Sequence, residues 1–268
     1  MIPLATIIEV QGRAAQGMTR PFLCRSDSGV CYVKGACAGL NSLCCEWVAN
    51  RLVGIVLPNV PLGVPLFTMA EVPRELVDGS SRPDIRELGE GKVFASMRID
   101  GGQELTWSAA QGWSQETMAA LLLMDLWLQN EDRSLSEFGG NPNLLVRQIP
   151  AFPADAQEGA LWNEQPRREM LWAYDFNLAF DKDFSRERFF RAHVFGGMLR
   201  QWPEDFRELM EPRLRHGLES VRTIFDELPI EWLHLDGDDS LPVQFDLERV
   251  ISVLELPFRD PATFWTLP

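Results

Sequence analysis

The sequence predicts an α+β fold: a small strand-rich part followed by a larger helical one. Strand and hairpin patterns fill the first hundred residues, interrupted by one helix. Asp100-Gly101-Gly102 is turn-forming punctuation at the point where the pattern changes. Beyond it most periodic segments have helical spacing, so we divide the chain into an N-lobe, 1–99, and a C-lobe, 100–268.

Each element can be justified in turn. Leu4 to Val10 concentrates β-branched residues and reads as a strand. Gln11 to Gly17 (QGRAAQG) reads as a loop of small residues. A hairpin follows, with strands at Pro21–Cys24 and Val30–Lys34 around the turn Ser26–Gly29. Period-two alternation puts Tyr32 and Lys34 on one face. Asn41 is placed to cap a helix from Ser42 to about Val53. The prolines of LPNVPLGVPLF forbid helix and suggest an extended crossing. Phe67–Val72 and Val93–Ile99 read as strands, and the charged 73–91 stretch between them as a surface loop.

In the second part Ser114 caps a helix that runs to about Gln129, with Glu116 in its first turn. Leu144–Val146 and Leu171–Tyr174 are strand-like. Pro150 to Pro166 between them looks like a mobile insertion. Helical patterns cover roughly Phe184–Gln201, Glu204–Leu228 and Leu247–Leu256, with an acidic turn at Asp236–Asp239.

Composition narrows the function. Acids outnumber bases 39 to 25, for a net charge of −14, which argues against broad nucleic-acid or anionic-membrane binding. Asp125 interrupts the longest apolar run, and the first residues lack a secretory layout, so a cytoplasmic protein is expected. Cys24, Cys31, Cys37, Cys44 and Cys45 are odd in number and lack structural-zinc spacing. They read as small buried side chains plus one or two free thiols.

Transfer of a phosphoryl group from a nucleotide needs a cation and backbone donors for the phosphates, oxygen ligands for magnesium, and a carboxylate beside the attacking hydroxyl. Lys34, at a strand end, can supply the cation. Glu46, inside the next helix, can hold that lysine. The loop GRAAQGMTRP can offer backbone N–H groups to the phosphates. Asp132 lies just past a helix, whose negative end disfavours an acid, and is the candidate base. Asn141 and Asn143 are alternative metal ligands before the strand LLV, and Asp175, isolated after LWAY, is the main one. Asp125 reads as structural, bonded to the backbone of the following loop. His193, His216 and His234 have no partner spacing and read as surface or capping residues.

The segments RPFLCRSDSGVCYVKG, NSLCCEWVANRLVGIVLPNVP, DLWLQNEDR, NPNLLV and AYDFNLAF, spanning about residues 20 to 180, resemble HipA-like kinases. The resemblance is to the smaller bacterial branch, related to phosphatidylinositol 3- and 4-kinase catalytic folds. It implies a two-lobed protein-kinase-like fold, ATP with Mg2+, and transfer to a serine or threonine hydroxyl of a protein. Lys34 would contact phosphate and Glu46 support it. Asp132 would be the catalytic acid, with Asn143 and Asp175 on the metal. Phe94 to Arg98, with Ala95, Ser96 and Met97 between them, would receive adenine through backbone groups. The stretch SLSEFGG lengthens the gap after Asp132, which keeps Asn141 as a rival to Asn143. The other reading is a pseudokinase, or nucleotide-binding interaction module, working through a small partner protein as in a toxin–antitoxin-like pair.

Overall fold

A turn at Asp27-Ser28 joins β2 (Phe22–Ser26) to β3 (Gly29–Lys34), and β1 (Ala5–Arg13) pairs antiparallel with β2. The computed structural model describes residues 4–14, 19–57, 62–150, 167–235 and 240–268. After α1 (Leu40–Val56) and the two-residue β4 (Leu62–Gly63) come β5 (Phe67–Val72) and β6 (Gly91–Met97). The strands close into a barrel of order β1-β2-β3-β6-β5, sealed by a parallel contact of Ala5 and Thr6 with Ala70 and Glu71. A barrel has no open edge, so every strand finds partners on both sides.

The second sheet has the order β4-β11-β10-β7, with β7 at Gln103–Glu104, β10 at Leu144–Pro150 and β11 at Arg167–Ala173. Between β7 and β10 lie α4 (Trp107–Ala110), α5 (Gln115–Trp127) and the small hairpin β8 (Ser134–Ser136) with β9 (Gly139–Asn141). The remainder is helical: α6 (Arg186–Ala192), α7 (Phe206–Phe225), α8 (Ile230–Leu233), α9 (Leu247–Leu254), α10 (Leu256–Arg259) and α11 (Pro261–Phe264). The fold is thus mixed α+β. Among the described residues, no helix is long and apolar enough to cross a membrane.

Two apolar cores result. One fills the barrel with Phe22, Cys24, Cys31, Val33, Ala95 and their neighbours. The larger one gathers α1, α5 and the later helices around Trp47, Trp127, Phe176, Phe195 and Leu214. Although α1 lies between barrel strands in sequence, it packs in the larger core, and from Leu43 to Asn50 it is buried on every side. A helix buried all round is held by its surroundings and not by amphipathicity. Four of the five thiols are buried, and Cys37 alone is exposed.

Several sequence expectations give way to packing. The α1 helix starts at Leu40, capped by Gly39 at φ 86° after a turn of 3₁₀ helix at Ala36–Ala38. Asn41 therefore sits in the first turn and reaches Cys45 Sγ. The supposed surface loop 73–91 folds into α2 (Arg74–Asp78) and α3 (Ile85–Leu88), because Ile85 and Leu88 plug the barrel. The helix expected over Phe184–Gln201 ends at Ala192, where His193 turns inward with extended backbone. The next begins at Phe206, after Asp205 at φ 57°. SLSEFGG is paired, with Ser134 opposite Asn141 and Ser136 opposite Gly139. The insertion 151–166, the acidic turn 236–239, residues 58–61 of the crossing segment and residues 15–18 of the small-residue loop fall outside the described residues. Gln11 to Arg13 of that loop belong to β1.

Gly35, directly after Lys34, lies against the backbone of α3. A Cβ there would overlap the Leu88 carbonyl, which cannot yield as a side chain can. Gly35→Ala is expected to cost about 1–3 kcal/mol, the usual range for overpacking, read as a lowered urea midpoint at unchanged slope.

Candidate active site

The strand order sets Lys34 at the end of β3, facing the larger core, where α1 passes beneath it. Its ammonium bonds Glu46 of α1 and, at 2.6 Å, Oδ1 of Asp175, partners 12 and 141 residues away in sequence. Both Lys34 and Glu46 are buried. A buried charge is tolerated only when paired and hydrogen-bonded. Glu46 meets that condition: besides Lys34, its carboxylate accepts from Asn50 Nδ2 at 3.1 Å and from the Phe176 backbone N–H at 3.1 Å. Burial pulls the Lys34 ammonium down, but the Glu46 and Asp175 carboxylates outweigh it and hold its pKa above the usual lysine range.

Asp132 lies beyond the end of α5, which stops at Trp127, so the unfavourable helix-end position read from the sequence does not arise. Its Oδ2 accepts from Asn143 Nδ2 at 2.9 Å, and the same nitrogen donates to the Asp132 carbonyl at 3.1 Å. The β8–β9 hairpin makes this possible. By pairing Ser134 with Asn141 it returns the chain to its starting point, so the lengthened segment does not displace Asn143. Asn141 stays at the cavity wall at the end of β9, and among its described bonds none reaches Asp132. Burial, and next the neighbouring Asp175 charge, push the Asp132 carboxyl up to about 6, against the opposing pull of Arg133 and the Asn143 bond.

Lys34, Glu46, Asn141, Asn143 and Asp175 line one cavity of about 410 Å³ with Tyr32, Phe94, Ser96, Met97, Glu104, Leu145 and Tyr174. Its wall combines apolar residues with a few charged and polar ones, the usual make-up of a small-ligand site. The residues expected at the hinge lie in the paired strand β6 and just after it. Residues 94–97 are paired with β3 on one side, and 94–96 with β5 on the other. The N–H groups of Met97 and Arg98 already donate to the carbonyls of Leu66 (2.7 Å) and Val30 (3.0 Å). Phe94, Ser96 and Met97 line the cavity, while Ala95 is buried in the barrel.

A second buried cluster lies behind the site, and the sequence did not reveal it. The Asp125 carboxylate, fully buried in α5, was expected to bond the backbone of the following loop, but its described bonds go to side chains: Arg133 Nε at 2.8 Å, Asn130 Nδ2 at 2.8 Å and His193 Nε2 at 3.1 Å. His193 is therefore not a surface residue: it is the C-cap of α6, its N–H donating to the Phe189 carbonyl, with its ring turned inward. Its Nδ1 accepts the Phe195 N–H, so the ring proton belongs on Nε2 and points at Asp125. Burial lowers the His193 pKa, consistent with a neutral ring. Burial also works against ionised Asp125, but Arg133 and His193 win and keep its pKa below the usual range. The isolated acid in an apolar helix was the visible half of this cluster. No spacing links it to a histidine 68 residues later.

A family model for HipA-like kinases matches residues 7–151 and 157–267. The class that the site suggests and the match across nearly the whole chain agree: this is a protein of the phosphotransferase kind. The chain belongs to the HipA-like kinase family. No curated protein matches it.

Asp125→Ala leaves the Arg133 guanidinium buried without its counterion. We expect a loss of about 3–5 kcal/mol in chemical denaturation, the range for breaking one side of a buried ion pair.

Proposed function

We propose that the protein is an ATP- and Mg2+-dependent kinase that phosphorylates a serine or threonine hydroxyl of a protein, on a two-lobed protein-kinase-like fold with lobes 1–99 and 100–268. One observation carries this reading: an ammonium held between Glu46 and Asp175 opens into the same cavity as Asn143, which bonds the Asp132 carboxylate. The net charge of −14 suits a protein acceptor met in the cytoplasm better than nucleic acid or an anionic membrane.

The donor set suits magnesium bound together with phosphates. Among the described residues no three His, Cys, Asp or Glu side chains form a cage of their own. Mg2+ commonly takes one or two protein oxygens and completes its shell with water and phosphate oxygens. Asp175 and Asn143 would hold it, Asn143 through the oxygen left free when its nitrogen serves Asp132. The bound metal would neutralise charge on the transferred group.

The chain's own residues do the rest. Lys34 binds phosphate oxygens, and Glu46 keeps its ammonium aimed while bracing the backbone after Asp175 through the Phe176 N–H. Asp132 orients the acceptor hydroxyl and takes its proton as the new O–P bond forms and the bond to the leaving nucleoside diphosphate breaks.

Asp132→Ala and Asp175→Ala should each reduce magnesium-dependent ATP turnover or autophosphorylation by at least about 10²-fold, Asp132→Ala with a melting temperature near wild type and Asp175→Ala, which takes one counter-ion from the buried Lys34, with a lowered one. Full activity in both variants would refute the site. Nucleotide binding without transfer by the wild type would instead mark an interaction module.

The pH profile gives a separate check. Asp132 must be ionised to accept a proton and its pKa is about 6. The log of kcat/KM should rise with unit slope below that pH and level off above it. A flat profile through that region excludes Asp132 as the base.

A further inference from the structure

We propose that Arg133 is a positioning residue that sets the backbone of both candidate metal ligands, Asn143 and Asp175, from a single guanidinium. The inference rests on the kinase reading of the site but concerns a residue that faces away from the cavity. Asp132 points to Asn143, while Arg133 turns into the protein and is fully buried.

One nitrogen of Arg133, Nη1, donates to the Asn143 carbonyl at 2.7 Å and to the Tyr174 carbonyl at 2.8 Å. The first carbonyl belongs to Asn143 itself, and the second to the residue just before Asp175. The Tyr174 N–H also donates to the Asn143 carbonyl at 3.1 Å, so the two segments share this junction. Elsewhere the guanidinium is fixed: Nε bonds Asp125 of α5, and its Cζ lies over the Phe176 ring, 4.5 Å from the centroid. Arg133 thus ties two loops to one rigid helix.

The loops need such a tie. Asn143 and Asp175 both have left-handed backbone, φ 48° and 61°. Asn and Asp tolerate that conformation better than other non-glycine residues, but it remains less favourable than right-handed or extended backbone and is held here by contacts. A planar, multidentate donor can span Asp125 and both carbonyls, whereas a lysine ammonium, a single point of charge, cannot hold the same three directions. Geometry can therefore be separated from charge.

Arg133→Lys keeps the charge opposite Asp125 and removes the fork. Binding of a nonhydrolysable ATP analogue would be measured by calorimetry with and without Mg2+, beside amide hydrogen exchange of the nucleotide-free protein. In Arg133→Lys the magnesium-dependent gain in affinity should fall by about tenfold or more, as for losses behind a metal ligand, while affinity without magnesium changes less than about twofold. Exchange at the Tyr174 amide should quicken in the free protein. A folded variant that keeps both the magnesium gain and wild-type exchange at Tyr174 overturns the proposal.

If Arg133→Lys does not fold, the neutral pair Asp125→Asn with Arg133→Gln takes its place, with the same expectations. Failure of that pair to fold as well would make the cluster purely structural and also overturn the assignment. A wild type that binds no nucleotide would refute the kinase reading, and the exchange measurement would still judge the tie itself.

Discussion

The site depends on one buried ammonium. Lys34 leaves the barrel where α1 passes, and it can stay charged there only because Glu46 and Asp175 converge on it. An unpaired charge at that depth would cost several kcal/mol, more than most single contacts return. The pairing is thus a constraint on the fold as well as a feature of the cavity. It draws a barrel strand, a helix of the larger core and the segment after β11 to one point.

The carboxylates divide the work by environment. Glu46 is saturated with donors and acts as a fixed counter-charge. Asp125, deeper still, is neutralised by Arg133 and never reaches the cavity. Asp132 is more open but crowded by Asp175, and its raised pKa places it close to the range where a carboxylate can both accept and release a proton. Residues of the same type thus take different roles because burial and neighbours differ.

Much of this could be read from residue order. The β2–β3 hairpin followed from its turn residues, and Ser114 caps α5 by accepting from the Thr117 N–H, both local effects. Tyr32 and Lys34 share the cavity as alternation required. Other features were illegible because distant groups decide them. The α6 helix ends where His193 is drawn to Asp125, and α3 exists because the barrel needs a plug. The N–H groups of Met97 and Arg98 are likewise taken up by the carbonyls of Leu66 and Val30, which only the closed barrel brings alongside.

From the sequence by itself came the kinds of chemical group, their order along the chain and the local elements that carry them. Turn propensity, capping and periodicity act over a few residues, and a few residues suffice to read them. Tertiary structure alone decided which of Asn141 and Asn143 meets Asp132, and that Arg133 serves Asp125 and not its neighbour in sequence. Those choices depend on closing the β8–β9 hairpin and on burying charges among partners far apart in the chain. Such long-range electrostatic and packing terms take effect only once the whole core has assembled.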